Sequence, residues 1–263
     1  MIQPKLSIIT INYNNAKGLD ATIKSVITQT YLDFEFLIVD GDSTDRSKDV
    51  INQYSTSINY HISEPDTGIY NAMNKGIKAS KGEYLLFLNS GDVLNGMTAV
   101  NDFVNNIDFA GDIIYGDYKF QTGGKIFPDN LSPLFFVRTS LPHQSTLFKR
   151  EVFDKMGLYD ERYKVVADRA FYIKCFLSNQ FIFKHINYPL TVFDLSGVSN
   201  DPRHNEKHLL ESESMFREYY GLYFDDYKNM LRMHSELNQA KRETLLGIFN
   251  RIIQRIRKVC GIR

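Results

Sequence analysis

The sequence predicts an α/β protein, with a mostly parallel central sheet, helices on both of its faces, and a run of helices at the C-terminus. Three observations lead there. Short β-branched or aromatic runs alternate with segments of helical spacing through the N-terminal third, the rhythm of strand–helix–strand units in a parallel sheet. Residues 84–88 are five apolar residues in a row, too few for a membrane span or an ordinary helix. An Asn-Ser-Gly cluster stops them, which describes a buried strand entering a polar loop. The segments at 6–11, 34–39 and 84–88 all run into loops carrying Asp or Asn, as expected where strands deliver ligand-binding groups to one edge of a sheet.

In chain order, residues 6–11 form the first strand, closed by the turn formers Asn12-Tyr13-Asn14-Asn15. Leu19, Ile23, Val26 and Ile27 share a helical face and predict a helix over 19–29. A strand at 34–39 stops at Asp40-Gly41-Asp42-Ser43-Thr44-Asp45, whose Ser and Asp residues suit the cap of a helix at 47–54. A third strand at 58–62 and the turn Pro65-Asp66-Thr67-Gly68 precede a helix at 69–79. Beyond Asp92 the pattern loosens into mixed sheet with inserted helices. We expect helices at 98–106, 151–156 and 168–178, strands at 112–118, 145–148 and 181–188, and a hairpin around Gly123-Gly124. Residues 196–208 are rich in Ser, Asn, Asp, Gly and Pro, a loop signal before the C-terminal helices.

A chain of 263 residues has room for one large α/β domain and an appendage. Lys plus Arg and Asp plus Glu are 31 each, so the formal charge cancels and no nucleic-acid partner is indicated. Residues 241–263 depart from that balance, with seven basic residues against Glu243, a net charge of +6. There Leu245, Ile248, Phe249, Ile252, Ile253, Ile256, Val259 and Cys260 recur at helical spacing, with Arg251, Arg255 and Lys258 on another side. This basic amphipathic helix suits contact with an anionic membrane surface, and equally packing against the catalytic domain or a second copy. Cys175 and Cys260 match no metal or redox spacing. With no segment of signal-peptide form and no apolar run of membrane-spanning length, the expected location is cytoplasmic, peripheral at most on the inner face of the cell membrane.

In a parallel sheet the three acidic or amide loops emerge together. Their carboxylates can accept hydrogen bonds from the hydroxyls or imino group of a nucleoside, but repel a phosphate unless a divalent cation lies between. Metal plus nucleotide therefore fits this rim better than nucleotide alone. Residues 6–14, 39–45, 66–68 through 74–76, and 88–92, in this order and spacing, resemble the N-terminal signature of family 2 inverting glycosyltransferases of bacterial polysaccharide-assembly type. The resemblance extends through His143-Gln144 and Ala167-Asp168 to about Ser199. It implies the GT-A, or nucleotide-diphospho-sugar transferase, fold over residues 1–200, with a nucleotide-binding half at 1–95, an acceptor half at 96–200, and a helical extension over 201–263. The activity it implies is transfer of a sugar from a nucleoside diphosphate sugar, UDP foremost, to a glycan or lipid-linked glycan with inversion.

Carried over residue by residue, the resemblance places the backbone near Ile11 and the ring of Tyr13 around the base and gives Asp40 a hydrogen bond to the nucleoside. Asp66 and Asn74 border the same pocket. Asp92 would anchor Mg²⁺ or Mn²⁺, with Asn89 offering an amide oxygen. The family commonly has acidic residues at the positions of Asn89 and Gly91 as well, so metal affinity without nucleotide is expected to be poor. Asp168 matches the catalytic base that takes the acceptor hydroxyl's proton, His143 and Gln144 fall on the acceptor side, and Asp194 with Gly197-Val198-Ser199 matches a closing loop. The residues alone also allow turn or cap chemistry for Asp40 and Asp66, a core position for Tyr13, and helix capping for Asp168. Two rival functions fit a similar rim. One is a sugar nucleotidyltransferase, although the N-terminal loop lacks the Gly- and basic-rich segment a triphosphate needs. The other is a non-catalytic nucleotide-sugar-binding or membrane-assembly subunit. The lack of Gly-x-Gly-x-x-Gly after the first strand argues against a dinucleotide dehydrogenase.

Overall fold

The computed structural model describes residues 3–120, 122–193 and 205–259. The loop expected at Asp194 and Gly197-Val198-Ser199, and Cys260, lie outside the described residues. The N-terminal half follows the expected alternation: β1 (Leu6–Asn12), α1 (Ala16–Ile27), β2 (Phe34–Asp40), α2 (Ser47–Gln53), β3 (Tyr60–Ser63), α3 (Ile69–Ala79) and β4 (Tyr84–Asn89). Helix α1 starts three residues earlier than its apolar spacing suggests, because the Asn15 side chain accepts from Gly18 N–H at 3.0 Å and caps it. Asp45 ties two helix starts together, accepting from Ala16 N–H and Ser47 N–H at 2.9 Å each.

The second half adds β5 (Val93–Leu94), α4 (Ala99–Val104), β6 (Ile113–Phe120), β7 (Gly123–Lys125), α5 (Pro133–Arg138), β8 (Thr146–Lys149), α6 (Arg150–Met156), α7 (Ala167–Ser178) and β9 (Phe183–Val192). Strand β5 and helix α5 were not expected. The first is only two residues long, and the second is announced only by Ser132, whose side chain caps Phe135 N–H, and by Pro133 at the first position. Strand β9 runs past Pro189 rather than stopping before it. The proline pairs with Asp117 where the register shifts, the kind of irregularity at which a strand tolerates a missing donor.

Among the described residues the sheet order is β3-β2-β1-β4-β8-β6-β9-β5, with β7 hairpinned onto β6. Strands β1 to β4 are mutually parallel, and β8 runs antiparallel between β4 and β6. The register sets Asn12 beside Asp40, Asp40 beside Ser63, and Ile11 beside Asn89, so the loops after β1, β2, β3 and β4 leave from one edge. Beneath them, alternate residues of β1 enter different layers. Leu6 and Ile8 pack with Leu19, Ile23 and Val26 of α1, while Ile9 meets α3 at Gly76. An aromatic cluster of Phe87, Phe148, Phe153, Tyr159 and Phe171 ties β4 to β8, α6 and α7, with ring centroids 4.8 to 6.4 Å apart.

The chain forms two compact units, Met1–Met215 and Phe216–Arg263. Helices α8 (Asn205–Tyr220) and α9 (Tyr223–Val259) are separated by Gly221 in the left-handed region (φ 53°). Within the second unit the rings of Phe216, Tyr220, Phe224 and Tyr227 are linked at 5.2 to 6.0 Å. Among the described residues no helix is long and apolar enough to cross a membrane.

Gly82 marks where β1 and β4 pack too closely for a side chain. A Cβ there would lie 2.5 Å from Ser7 N and 2.6 Å from Leu6 C, backbone atoms that cannot turn aside. Gly82→Ala is expected to cost about 1–3 kcal/mol by overpacking, read as a lowered denaturant midpoint; an unchanged midpoint would contradict this packing.

Candidate active site

The shared strand edge opens into a cleft of about 800 Å³. Its first wall is the β1–β2–β3 end. Asp40 is fully buried there and its carboxylate is surrounded by protein donors. Oδ1 accepts from Asn12 Nδ2 and Ser43 Oγ at 2.6 Å each, and Oδ2 from Ser63 Oγ at 2.6 Å and Ser43 N–H at 2.9 Å. Burial works against the charge, but these hydrogen bonds prevail and hold the carboxyl below the usual aspartate range. Asp40 therefore sits beneath the cleft rather than in its lining, and what reaches the lining is the loop it fixes, Gly41 and Asp42. Gly41 lets these side chains approach closely, since a Cβ there would push the Asp66 carboxylate aside and lie 3.1 Å from the Tyr13 ring. Tyr13 is 68% exposed, a ring standing in the open mouth of the cleft rather than in the core.

The second wall is the loop after β4. Thr22 Oγ1, fully buried on α1, lies 2.8 Å from Asp92 O and takes the Gly91 N–H at 3.0 Å, pinning the loop from below. Gly91 adopts φ 113°, a conformation side chains avoid. Asp92 is 4% exposed and lines the cleft with Asn89 and Ser90. The Asn89 Oδ1 atom is buried and finds no hydrogen-bond partner among the described residues. A carboxylate and an unsatisfied amide oxygen in one short loop are hard donors of the type Mg²⁺ or Mn²⁺ accepts. Among the described residues no group of three His, Cys, Asp or Glu could hold a metal unaided, so a cation here would need oxygens from a bound diphosphate and water.

The third wall is His143, in a short 3₁₀ turn (His143–Ser145) before β8. Its Nε2 is 2.9 Å from Asn89 Nδ2 and its Nδ1 is 3.5 Å from Asp168 Oδ2. With the hydrogen on Nδ1, the ring donates to Asp168 and accepts from Asn89. Asp168 begins α7 one side chain back from the lining. Its Oδ1 accepts from Arg169 N–H at 2.8 Å and lies 3.0 Å from the Tyr70 hydroxyl. Burial opposes both charges, yet the pair favours them mutually. His143 is raised above the ordinary histidine value by Asp168, with Asp92 adding, and Asp168 is held below the usual range by His143, the Arg169 backbone and Tyr70.

Of the residues expected from the sequence, Ile11, Tyr13, Asp66, Asn89, Asp92 and His143 line one cleft, and Asp168 adjoins it through His143. Asn74 does not reach it. Its amide donates to Tyr159 O and Glu161 Oε1 and accepts from Tyr159 N–H, all at 3.0 Å, bracing the loop before Asp168. Gln144 is 3% exposed and stays out of the lining. The expectation did not include Asn15, Ser90, Lys164 or Phe193 in the lining, nor Tyr70 behind Asp168. Ser90 sits inside a loop already singled out, whereas Lys164 and Tyr70 are brought in only by tertiary packing.

Known proteins resemble this chain in sequence and in fold. The family model described as glycosyl transferase family 2 matches residues 7–167. A "PGL/p-HBAD biosynthesis glycosyltransferase" of Mycobacterium bovis is 32% identical over 212 residues, covering 76% of this chain and 81% of the relative. The poly(ribitol-phosphate) beta-N-acetylglucosaminyltransferase TarP of Staphylococcus aureus is 28% identical over 260 residues, covering 92% of this chain and 77% of TarP. The crystal structure of S. aureus TarS 1-349 in complex with UDP-GlcNAc superposes with a TM-score of 0.63 at 18% identity, over 84% of this chain and 73% of that one, a likeness of fold. Against the longer TarS chain the coverage is 43%.

Asp40→Asn removes the charge that gathers four donors and is expected to destabilise the protein by about 2 kcal/mol at neutral pH. Because the folded carboxyl is depressed, its stabilisation is present above the ordinary aspartate value and lost as pH falls through the folded one. The gap between wild type and variant should close below about pH 4. Urea melts from pH 7 to pH 3 measure it, and a gap independent of pH would contradict the assignment.

Proposed function

This chain belongs to glycosyl transferase family 2 and has the GT-A fold, and on that premise we propose that it transfers one sugar, with inversion, from a UDP-sugar to a hydroxyl of a glycan or lipid-linked glycan during synthesis of a cell-surface polysaccharide. One observation carries the reading: the nucleoside-side groups Ile11, Tyr13 and Asp66, the Asn89–Asp92 loop and His143 open on a single cleft, with Asp168 in contact with His143. The UDP-GlcNAc bound to TarS and the polymeric acceptor in the name of TarP support this choice of donor and acceptor class.

In this reading the exposed Tyr13 ring and the Ile11 backbone hold the base, and Asp40 contributes through the loop it anchors. Asp92 and Asn89 Oδ1 would hold Mg²⁺ or Mn²⁺, which when bound neutralises charge gathering on the departing diphosphate. Asp168 is the base. Its Oδ1 is engaged by Arg169 N–H and faces Tyr70, so Oδ2, facing His143, is the oxygen that takes the acceptor's proton. A carboxyl held this low is a weak base toward a sugar hydroxyl, so the proton moves late, when the attacking oxygen has already bonded to the anomeric carbon. His143, donating from Nδ1, keeps that oxygen oriented until then. The basic, apolar segment 245–263 suits contact with an anionic membrane carrying a lipid-linked acceptor.

The test is turnover of UDP-sugars with polysaccharide-lipid extracts, following released UDP against pyrophosphate. Asp168→Asn is expected to lower turnover ~10²–10⁴-fold while donor affinity, measured by thermal shift with Mn²⁺, holds. Asp92→Ala should weaken the Mn²⁺-dependent part of donor binding. Pyrophosphate exchange in place of UDP release, or full turnover by Asp168→Asn, would overturn the reading.

A further inference from the structure

A diphosphate entering this cleft meets two carboxylates, Asp66 and Asp92, while a third, Asp42, is paired with Lys48 Nζ at 2.6 Å. An anion needs opposing charge there, and among the described residues of the lining there is one lysine or arginine, Lys164. Among the described residues its ammonium makes one long hydrogen bond, to Thr67 O at 3.3 Å, and its charge also acts on Glu161. An ammonium has three hydrogens to donate, so two remain for a ligand.

The backbone beneath Lys164 is held with more care than an exposed lysine requires. Glu211 of α8 accepts from Lys164 N–H at 2.9 and 3.0 Å and from Val165 N–H at 2.8 Å, one carboxylate gripping two successive amides. On the other side the Tyr70 hydroxyl lies 2.9 Å from Val165 O and 3.0 Å from Asp168 Oδ1. This turn therefore presents Lys164 to the cleft at the Thr67–Gly68 side and, four residues later, places Asp168 behind His143. A nucleoside diphosphate sugar carries its phosphates next to its nucleoside, and Lys164 lines the same cleft as Ile11, Tyr13 and Asp66.

We propose that Lys164 binds the diphosphate of the donor and that Glu211 is the positioning residue that aims it, so that α8 takes part in donor recognition. The proposal rests on the glycosyltransfer reading above and adds a phosphate ligand to it. The lysine neutralises charge on the diphosphate in the bound donor and again on the nucleoside diphosphate that departs. It supplies part of the countercharge that a loop with one carboxylate, Asp92, leaves to an incoming cation.

Binding of uridine, UMP and UDP, and of the guanosine series, to the full chain with and without Mn²⁺ tests this directly. Lys164→Ala is expected to weaken the diphosphate at least about tenfold, to leave the nucleoside unchanged, and to keep the melting temperature of the unliganded protein. Lys164→Arg should restore most of the loss. Glu211→Ala should reproduce the loss selectively for the diphosphate. Equal diphosphate binding by wild type and Lys164→Ala, or parallel loss of nucleoside and diphosphate, would overturn the assignment while leaving glycosyltransfer intact. A wild-type protein that no nucleoside diphosphate stabilises would overturn both.

Discussion

The β1–β2–β3 wall of the cleft depends on one buried charge. Asp40 ends β2 and draws hydrogens from Asn12 on β1, from Ser43 in its own loop and from Ser63 on β3. A carboxylate taken out of water costs several kcal/mol unless donors replace its hydration, and here four do. Three strand ends that could otherwise splay are held to one point. The loop leaving that point carries Gly41, whose missing Cβ lets Asp66 and Tyr13 close over it. The position of this wall thus follows from a residue that does not itself line the cleft.

The His143–Asp168 wall of the cleft is built differently. Its groups come from segments far apart in sequence and owe their placement to side-chain contacts rather than to a shared strand register. Glu161 takes hydrogens from Asn74 at 3.0 Å, from Asn71 at 3.0 and 3.2 Å and from Thr67 at 3.1 Å, fastening the loop before α7 onto α3. These donors lower its carboxyl pKa, the Asn74 amide most of all, against the opposing effect of burial. Tyr70, also on α3, then reaches Val165 and Asp168. Helix α3 is the joint between the two walls, buried against β1 through Gly76 and fastened to the α7 approach by its polar side chains.

What could be read from the sequence follows that division. The parallel half is legible because β1, β2 and β4 are largely apolar runs that stop at clusters of Asn, Asp, Ser and Gly, signals that are local. Helix α3 was placed at its observed bounds for the same reason. The functional candidates on those loops, Ile11, Tyr13, Asp66, Asn89 and Asp92, do meet in one cleft. Asp40 and Asn74 carry the same polar signature but turn it inward, and spacing cannot separate a carboxylate that faces a ligand from one that faces three strands. Lys164 gave no signal, because an isolated lysine in a polar stretch looks like any solvated side chain until Glu211 is seen beneath it. The strand expected at 181–188 continues through Pro189 to Val192, because the register shift opposite Asp117 accommodates the proline's missing donor.

Asn89, His143 and Asp168 form one continuous run of polar contacts from the loop after β4 to the start of α7, and Tyr70 closes its far end. Energetic effects within such a run are shared, so substitution costs measured singly will not sum. Divergence in related chains should then be correlated: a change at position 143 would call for a compensating one at 89 or 168, and each of these sites drifts only in company.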